Sequence, residues 1–328
     1  MRRALLEAVA SADRLVLLGD VVELRERRLG EALAAAREGL AAIAGALPAS
    51  REIVLVVGNH DHRLVAPWLQ RRARDVALGI ASTVTTAPGE PLAEVADALG
   101  AARTAIAYPG VWLRDDVWAT HGHYGDRHTT VPMLERLGAG VTARIAGHGG
   151  DPERPRDAED YEAVLAPMYA WIDALAEYGD GTRRAGSSAR IWRALSGSGR
   201  SGLRRRALAA GFPLGIAALN RAGLGPLSAD LSRPALRTGA LRAMGEVQRR
   251  LRVSARHIVF GHTHRAGPLP GDDPAEWRTP SSADLVNAGC WVRERVLAAP
   301  GRSPYRAGFA VWIDSDPARA PELVNLLD

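Results

Sequence analysis

The chain has 328 residues, enough for one large domain or for a domain with an insertion, and a net charge of +5. Its single cysteine, Cys290, excludes an internal disulfide and a thiolate metal cluster. No apolar run is long enough to span a membrane and no signal-like segment starts the sequence, so we expect a soluble, cytoplasmic protein. All 42 basic residues are arginine, which indicates biased codon usage, so we give weight only to local charge clusters.

The first part of the chain predicts alternating helices and parallel strands. Met1 to Ala12 has helical spacing of apolar residues, and the strand Leu15 to Leu18 ends at Gly19-Asp20. A helix from Glu31 to Leu47 then crosses over to a second strand, Ile53 to Val57. The strands of such a β-α-β unit are parallel, so we expect the residues that follow them to lie side by side.

The second strand ends in Gly58-Asn59-His60-Asp61, which carries three side chains able to bind metals or transfer protons. Asn59 offers a neutral carbonyl oxygen to a metal ion. His60 suits proton donation because the pKa of an imidazole is near neutrality, and we expect Asp61 to hold its tautomer. Asp20 can bridge two cations, although a carboxylate after a strand can also cap a helix. We expect His62 to be a polar loop residue.

A second cluster of polar side chains follows a later strand. Pro91 to Leu99 predicts a helix, and Thr104 to Tyr108 with Val111 to Leu113 predicts a hairpin that turns at Pro109-Gly110. The next strand, Val117 to Thr120, leads into His121-Gly122-His123. We expect His121 to bind a metal because it follows the strand at once.

The third cluster lies near the C-terminus. The strand His257 to Phe260 ends in Gly261-His262-Thr263-His264, where the two histidines alternate and can face the same side. Strands at Asp284 to Trp291 and Ala307 to Asp314 are expected to close a second sheet. Six of the nine histidines lie in these three clusters, which argues against scattered core histidines.

Residues 132 to 252 differ from the rest of the chain. Helical periodicity dominates and no strand-end cluster occurs, which predicts a helical insertion or cap. Residues 183 to 206 contain eight arginines and no acid, and residues 207 to 219 are mostly apolar. These features indicate either a solvated loop followed by a core helix or a surface for an anionic lipid, nucleotide or phosphorylated substrate, and we favour the former.

In chain order, Gly19-Asp20-Val21-Val22-Glu23, Gly58-Asn59-His60-Asp61, the His121 segment and Gly261-His262-Thr263-His264 resemble the calcineurin-like metallophosphoesterases. The resemblance spans residues 14 to 315. It implies a four-layer α/β/β/α sandwich built from two mixed sheets. It also implies that residues 1–328 form a single domain, into which residues 132–252 are inserted as a helical segment. It also implies hydrolysis of a phosphomonoester, phosphodiester or pyrophosphate by a hydroxide that bridges two divalent metal ions. Mn, Fe and Zn all suit imidazole and oxygen ligands.

The resemblance also implies a role for each strand-end residue. The second metal would bind four residues: Asp20, Asn59, His121 and His262. The first metal would share Asp20 and bind His264. His60 would face the substrate, stabilise the phosphoryl oxygens and protonate the leaving oxygen, with Asp61 beside it. His123 is a reserve ligand or a substrate contact, and Glu23 is expected at the surface or behind the ligands.

One part of the family pattern has no counterpart. The family begins with a strand ending in Asp-x-His, which supplies two ligands of the first metal, but only Glu7 and Asp13 precede Asp20 as acids and no histidine precedes His60. Either an upstream segment is missing or that metal site has been lost. We favour a missing segment because every later motif is intact, and activity of the chain as given depends on which alternative holds.

The metal chemistry does not choose a substrate, so we expect a phosphorylated small molecule or a lipid-linked one. Nucleic acid is disfavoured because the insertion has few aromatic residues for base stacking. The alternative is a non-catalytic binding module on the same fold, which would recruit a partner or contact a membrane peripherally through the arginine-rich insertion. The missing Asp-x-His favours that alternative, whereas His60 and Asp61 argue against it.

Overall fold

The computed structural model describes residues 1–72, 76–131, 134–145, 155–178, 203–292 and 303–328. The chain divides into two compact units, one formed by residues 1–123 with 253–328 and the other by residues 124–252. The second unit corresponds to the predicted insertion but begins at Tyr124, earlier than the expected start at residue 132.

The first unit contains a four-stranded mixed sheet built from the N-terminal part of the chain. Its strands are β1 (Arg14–Leu18), β2 (Glu52–Val56), β3 (Ser82–Thr83) and β4 (Thr104–Tyr108), arranged in the order β1-β2-β4-β3. β1, β2 and β4 are parallel, and β3 is antiparallel to β4. Helix α1 (Arg2–Ser11) precedes β1, and α2 (Leu29–Ala46), α3 (Ala66–Arg71) and α4 (Pro91–Leu99) lie between the strands in the chain. The predicted β-α-β unit, with β1 and β2 as parallel neighbours, is confirmed.

A second four-stranded mixed sheet in the same unit joins the middle and the end of the chain. Its strands are β5 (Gly110–Arg114), β6 (Val117–Thr120), β7 (His257–Phe260) and β8 (Asp284–Asn287), in that order. β6, β7 and β8 are parallel, whereas β5 is antiparallel to β6. The predicted α/β class with two mixed sheets is therefore confirmed.

The predicted hairpin of β4 and β5 is wrong. β4 pairs with β2 and β3, and β5 pairs with β6, so Pro109 connects two different sheets. Two short apolar runs around a Pro-Gly dipeptide have the same local sequence pattern whether they form a hairpin or belong to two different sheets. The choice depends on the distant partners of each strand, which local sequence does not show.

The last strands also differ from expectation. β9 (Phe309–Trp312) pairs with β10 (Glu322–Asn325) in a separate antiparallel ribbon and does not extend the second sheet. The sequence pattern did not predict β10. Val311 and Leu323 of this ribbon nevertheless pack against the buried core of the second sheet, which includes Val117 and Val259. The ribbon thus covers apolar surface of that sheet.

The described part of the second unit contains four helices: α5 (Leu134–Ile145), α6 (Ala158–Tyr178), α7 (Leu203–Arg221) and α8 (Arg233–Leu251). The arginine-rich stretch, residues 183 to 206, lies largely outside the described residues. α5 and α6 pack closely, because Gly138 lies against the side chain of Met168 and leaves no room for a Cβ atom. In the described part of the chain, no helix is long and apolar enough to cross a lipid bilayer.

Candidate metal centre

Four strand-end side chains from both sheets meet in the first unit. Nε2 of His121 lies 3.1 Å from Oδ2 of Asp20 and 3.0 Å from Oδ1 of Asn59. Nδ1 of His262 lies 3.1 Å from the same Asn59 oxygen, and the ring centroids of the two histidines are 5.3 Å apart. These are the four residues that the sequence predicted as ligands of the second metal.

Two glycines allow this close approach. Gly19 has a φ of +84°, and a Cβ atom there would overlap the imidazole of His121. A Cβ atom at Gly58 would overlap the carboxylate and the backbone nitrogen of Asp20. Asp20 itself has a φ of +53°, an uncommon conformation that turns its carboxylate towards the cluster. The glycines before Asp20 and Asn59 are therefore required by packing.

His121 is held in one tautomer by the backbone. Its Nδ1–H donates to the carbonyl oxygen of Leu18 over 2.9 Å, so in the neutral ring Nε2 carries the lone pair. Nε2 faces the oxygens of Asp20 and Asn59, and in the protonated ring its N–H donates to the carboxylate of Asp20. Histidines that bind metals commonly use the other ring nitrogen in this way to fix the ring.

The side-chain amide of Asn59 can be placed in two orientations that differ by exchange of its oxygen and nitrogen. With its oxygen towards His121 and His262, lone pairs of three ligands face one another, which a cation between them would stabilise. With the amide turned over, its nitrogen donates to both imidazoles and its oxygen accepts from the guanidinium of Arg25 at 2.7 and 3.2 Å. The second orientation satisfies all four contacts, whereas in the first the amide nitrogen faces the guanidinium of Arg25, donor against donor, so metal binding through the Asn59 oxygen would require Arg25 to shift.

The distances in the cluster fit a metal ion. In octahedral coordination, ligand atoms that lie about 2.1 Å from a common ion and at right angles to each other are about 3.0 Å apart, which is also the length of a hydrogen bond. The observed separations of 3.0 to 3.1 Å match this spacing. In the described residues no group of three or more His, Cys, Asp or Glu side chains is arranged to hold a metal. The amide oxygen of Asn59 is the atom that links His262 to the pair Asp20 and His121.

The segment after β7 places its two histidines in a strained backbone. His262 has a φ of +64° and His264 a φ of +60°, a region that side-chain-bearing residues seldom adopt. Asn287, at the end of β8, supports the segment by donating to the carbonyl of Gly261 and to the hydroxyl of Thr263. The role of His264 as a ligand of a first metal stays a prediction.

Electrostatics favour a charged Asp20. Burial would raise the pKa of its carboxyl group, but the charge and hydrogen bond of His121, together with His60, outweigh burial and hold the pKa well below its usual range. The backbone N–H of His60 also donates to Oδ1 of Asp20 over 2.9 Å. Burial lowers the pKa of His121, and the charge of Asp20 more than offsets this, so that the pKa is raised. The pair therefore presents a carboxylate to the cluster.

His60 contacts Glu23, which the sequence did not single out as its partner. Nδ1 of His60 lies 2.7 Å from Oε2 of Glu23. Burial lowers the pKa of His60, but the hydrogen bond to Glu23 and the charge of Asp20 raise it overall. Glu23 lies three residues after Asp20 in the same strand-end loop, so a pattern of acid, two apolar residues and acid was the signal that could have identified it.

Asp61 has a structural position and does not hold His60 as predicted. Its Oδ1 accepts from the N–H of Gly58 over 2.6 Å, and its Oδ2 accepts from the N–H of Val21 over 2.7 Å. The residue is fully buried, and burial followed by the charge of Asp20 raises its pKa to about 6. Asp61 thus ties together the loops that follow β1 and β2.

His123 and His62 lie in the interior. Nε2 of His123 is 3.1 Å from the hydroxyl of Tyr108, on which its ring stacks, and His62 packs edge-on against the same tyrosine. Both histidines are buried, and burial lowers the pKa of His123 well below its usual range. The expectations that His123 contacts substrate and that His62 is a polar loop residue do not fit these positions. Tyr108 and His123 instead form a layer behind His121.

Comparison of the chain with protein-family models, curated proteins and solved structures found no significant match.

Proposed function

We propose that this chain is a metal-dependent phosphoesterase of the calcineurin-like type, with a divalent cation held by Asp20, Asn59, His121 and His262. The observation that carries the proposal is the convergence of the ligand atoms of these residues at separations of 3.0 to 3.1 Å. The fixed tautomer of His121 supports it further, because the backbone carbonyl of Leu18 leaves Nε2 for the metal.

A cation at this site would supply Lewis-acid stabilisation of phosphoryl oxygens and a nucleophile at neutral pH. The chain itself supplies the proton and the orientation. His60 is partly exposed beside the cluster, and Glu23 favours its protonated form, so His60 can donate a proton to the leaving oxygen. Arg25 brings a second positive charge next to Asn59, where it would attract a phosphate group.

Two measurements on the same preparations test the proposal. Metal bound per chain is determined by elemental analysis after dialysis against Mn²⁺, and hydrolysis of 4-nitrophenyl phosphate and bis(4-nitrophenyl) phosphate is followed by absorbance. We expect wild-type protein to bind Mn²⁺ and to hydrolyse at least one of the two esters. Asp20→Asn and His262→Ala should lower both bound metal and hydrolysis by about 10-fold or more.

The matched control for Asp20→Asn is Asp115→Asn, which removes an exposed carboxylate in the turn between β5 and β6. It should leave metal content and hydrolysis unchanged. Wild-type protein that binds no Mn²⁺, Fe²⁺ or Zn²⁺ would refute the metal site. Wild-type protein that binds metal but hydrolyses neither monoester nor diester would refute the enzyme assignment and leave the metal site standing.

A further inference from the structure

One arginine lies against the side-chain amide of Asn59, on the side away from the histidines. Nη2 and Nη1 of Arg25 are 2.7 and 3.2 Å from the amide atom that does not face His121 and His262. Asn59 is buried, whereas Arg25 is partly exposed to solvent. Arg25 therefore contacts the side chain that joins the two halves of the candidate metal centre.

The backbone of Arg25 is fixed by the loops that follow β1 and β2. The N–H of Arg25 donates to Oε1 of Glu23 over 2.8 Å, and the N–H of Leu24 donates to the carbonyl oxygen of His60 over 3.3 Å. A long arginine side chain can change its rotamer while its backbone stays in place. The guanidinium can thus leave Asn59 without any movement of the loop.

The amide of Asn59 cannot serve a cation and Arg25 at the same time. Guanidinium nitrogens are only donors, so Arg25 is satisfied by the amide oxygen and opposed by the amide NH2 group. A cation at the cluster needs the same oxygen on the opposite side, towards His121 and His262. Turning the amide to serve the cation would set two donor groups 2.7 Å apart, which is unfavourable unless Arg25 moves away.

A displaced Arg25 would remain near the cation, so it would need an anion as its partner. Two positive charges at short distance repel each other, most strongly where water is excluded. A phosphoryl group bound to the cation offers the pair of negative oxygens that fits the fork of a guanidinium. One phosphate group can therefore act as a ligand of the cation and as the new partner of Arg25.

We propose that Arg25 couples the binding of phosphate to the binding of the cation. Its guanidinium holds the oxygen of Asn59 until a phosphoryl group draws it away, and the amide oxygen is then released to the cation. This inference rests on the proposed function, because it takes the cation site and a phosphate substrate as given. It adds that each ligand strengthens the binding of the other by the same factor.

Two simpler roles for Arg25 predict different results. If the guanidinium only filled space beside Asn59, its removal would leave the affinity for Mn²⁺ unchanged or lower it. If Arg25 acted only through its general positive charge, other arginines of the same loop would have the same effect. Arg27, two residues further along the loop, is exposed and provides that comparison.

Titration of Mn²⁺, with the free ion followed by electron paramagnetic resonance, tests the coupling without an activity assay. Arg25→Met keeps an unbranched side chain but loses the charge and the donors, so we expect it to bind Mn²⁺ about 10-fold more tightly than wild type. Phenylphosphonate, a phosphate analogue that is not hydrolysed, should strengthen Mn²⁺ binding about 10-fold or more in wild-type protein and about 3-fold or less in Arg25→Met.

The matched control, Arg27→Met, should resemble wild type in both titrations. Circular dichroism checks that each variant is folded, and Arg25→Gln takes the place of Arg25→Met if the latter is not. An Arg25 variant that gains no affinity for Mn²⁺, or that keeps the full effect of phenylphosphonate, overturns the coupling and leaves the proposed function standing. An equal gain of affinity in Arg27→Met overturns it as well. Wild-type protein that binds no Mn²⁺, Fe²⁺ or Zn²⁺ overturns this inference and the proposed function together.

Discussion

The imidazole of His60 lies 2.7 Å from the carboxylate of Glu23, whereas the carboxylate of Asp61, its neighbour in the chain, binds two backbone N–H groups. Adjacent residues thus have different tasks. Glu23 acts on the ring that faces solvent beside the cluster, and Asp61 holds the buried loops in place. The two carboxylates can therefore be separated by mutation.

Glu23→Gln should lower the proposed hydrolysis without removing metal. The amide keeps the size of the side chain but cannot stabilise a protonated His60, so we expect turnover to fall by about 10- to 100-fold. Metal content, measured by elemental analysis, should stay within about a factor of two of wild type. A parallel loss of metal and turnover would mean that Glu23 supports the ligands and does not act through His60.

His60→Ala addresses the ring itself. Because His60 is not one of the four converging ligands, we expect turnover to fall by about 100-fold or more while bound metal is nearly unchanged. A substrate whose leaving group is a good one, such as 4-nitrophenolate, should be affected less than an alkyl ester, because it needs less protonation. Metal content that falls in step with activity would show that His60 is a ligand after all.

The sequence was sufficient to pair Asp20 with Asn59 and His121 with His262, because each residue follows an apolar strand and neighbouring parallel strands end at the same edge of a sheet. That the two pairs meet depends on how the two sheets pack, which strand patterns do not show. The partner of His60 was not predictable in this way. It depends on the path of the loop from Asp20 to Arg25, and sequence adjacency pointed to Asp61. The pairing of β4 and β5 was missed for a similar reason, since an apolar run after Pro109 fits either sheet.

Asp61→Asn should destabilise the first unit. The carboxylate is fully buried and accepts from Gly58 and Val21, and an amide can accept only through its single oxygen, which leaves one buried N–H group without an acceptor. The expected loss is about 1–3 kcal/mol in the free energy of unfolding, measured by urea denaturation. Asp115→Asn is the exposed control and should change it by less than about 0.5 kcal/mol. Equal effects of the two substitutions would argue against the structural role of Asp61.

Gly19→Ala tests the packing that brings His121 into the cluster. Gly19 and Gly89 share a φ of +84°, so alanine strains the backbone equally at both, by about 1–2 kcal/mol. Only at Gly19 does the new methyl group overlap an imidazole, that of His121, whereas Gly89 has open space around it. We expect Gly19→Ala to lose bound metal and Gly89→Ala to retain it, as measured by elemental analysis. If both variants retained metal, the position of His121 beside Gly19 would not be required for metal binding.

The last prediction concerns acid stability of the second unit. Burial, followed by the charges of Arg250 and Arg127, lowers the pKa of His128 to about 3, and Nε2 of His128 contacts the hydroxyl of Tyr161 over 2.7 Å. His128 takes up a proton more readily in the unfolded chain than in the folded protein. The contribution of neutral His128 to the free energy of unfolding is therefore fully present above pH 6.5 and is lost as the pH falls towards 3. Between pH 7 and pH 5, wild-type protein should lose about 2 kcal/mol more than His128→Gln in urea unfolding that follows the second unit. An equal loss in both proteins would show that His128 is protonated in the folded state.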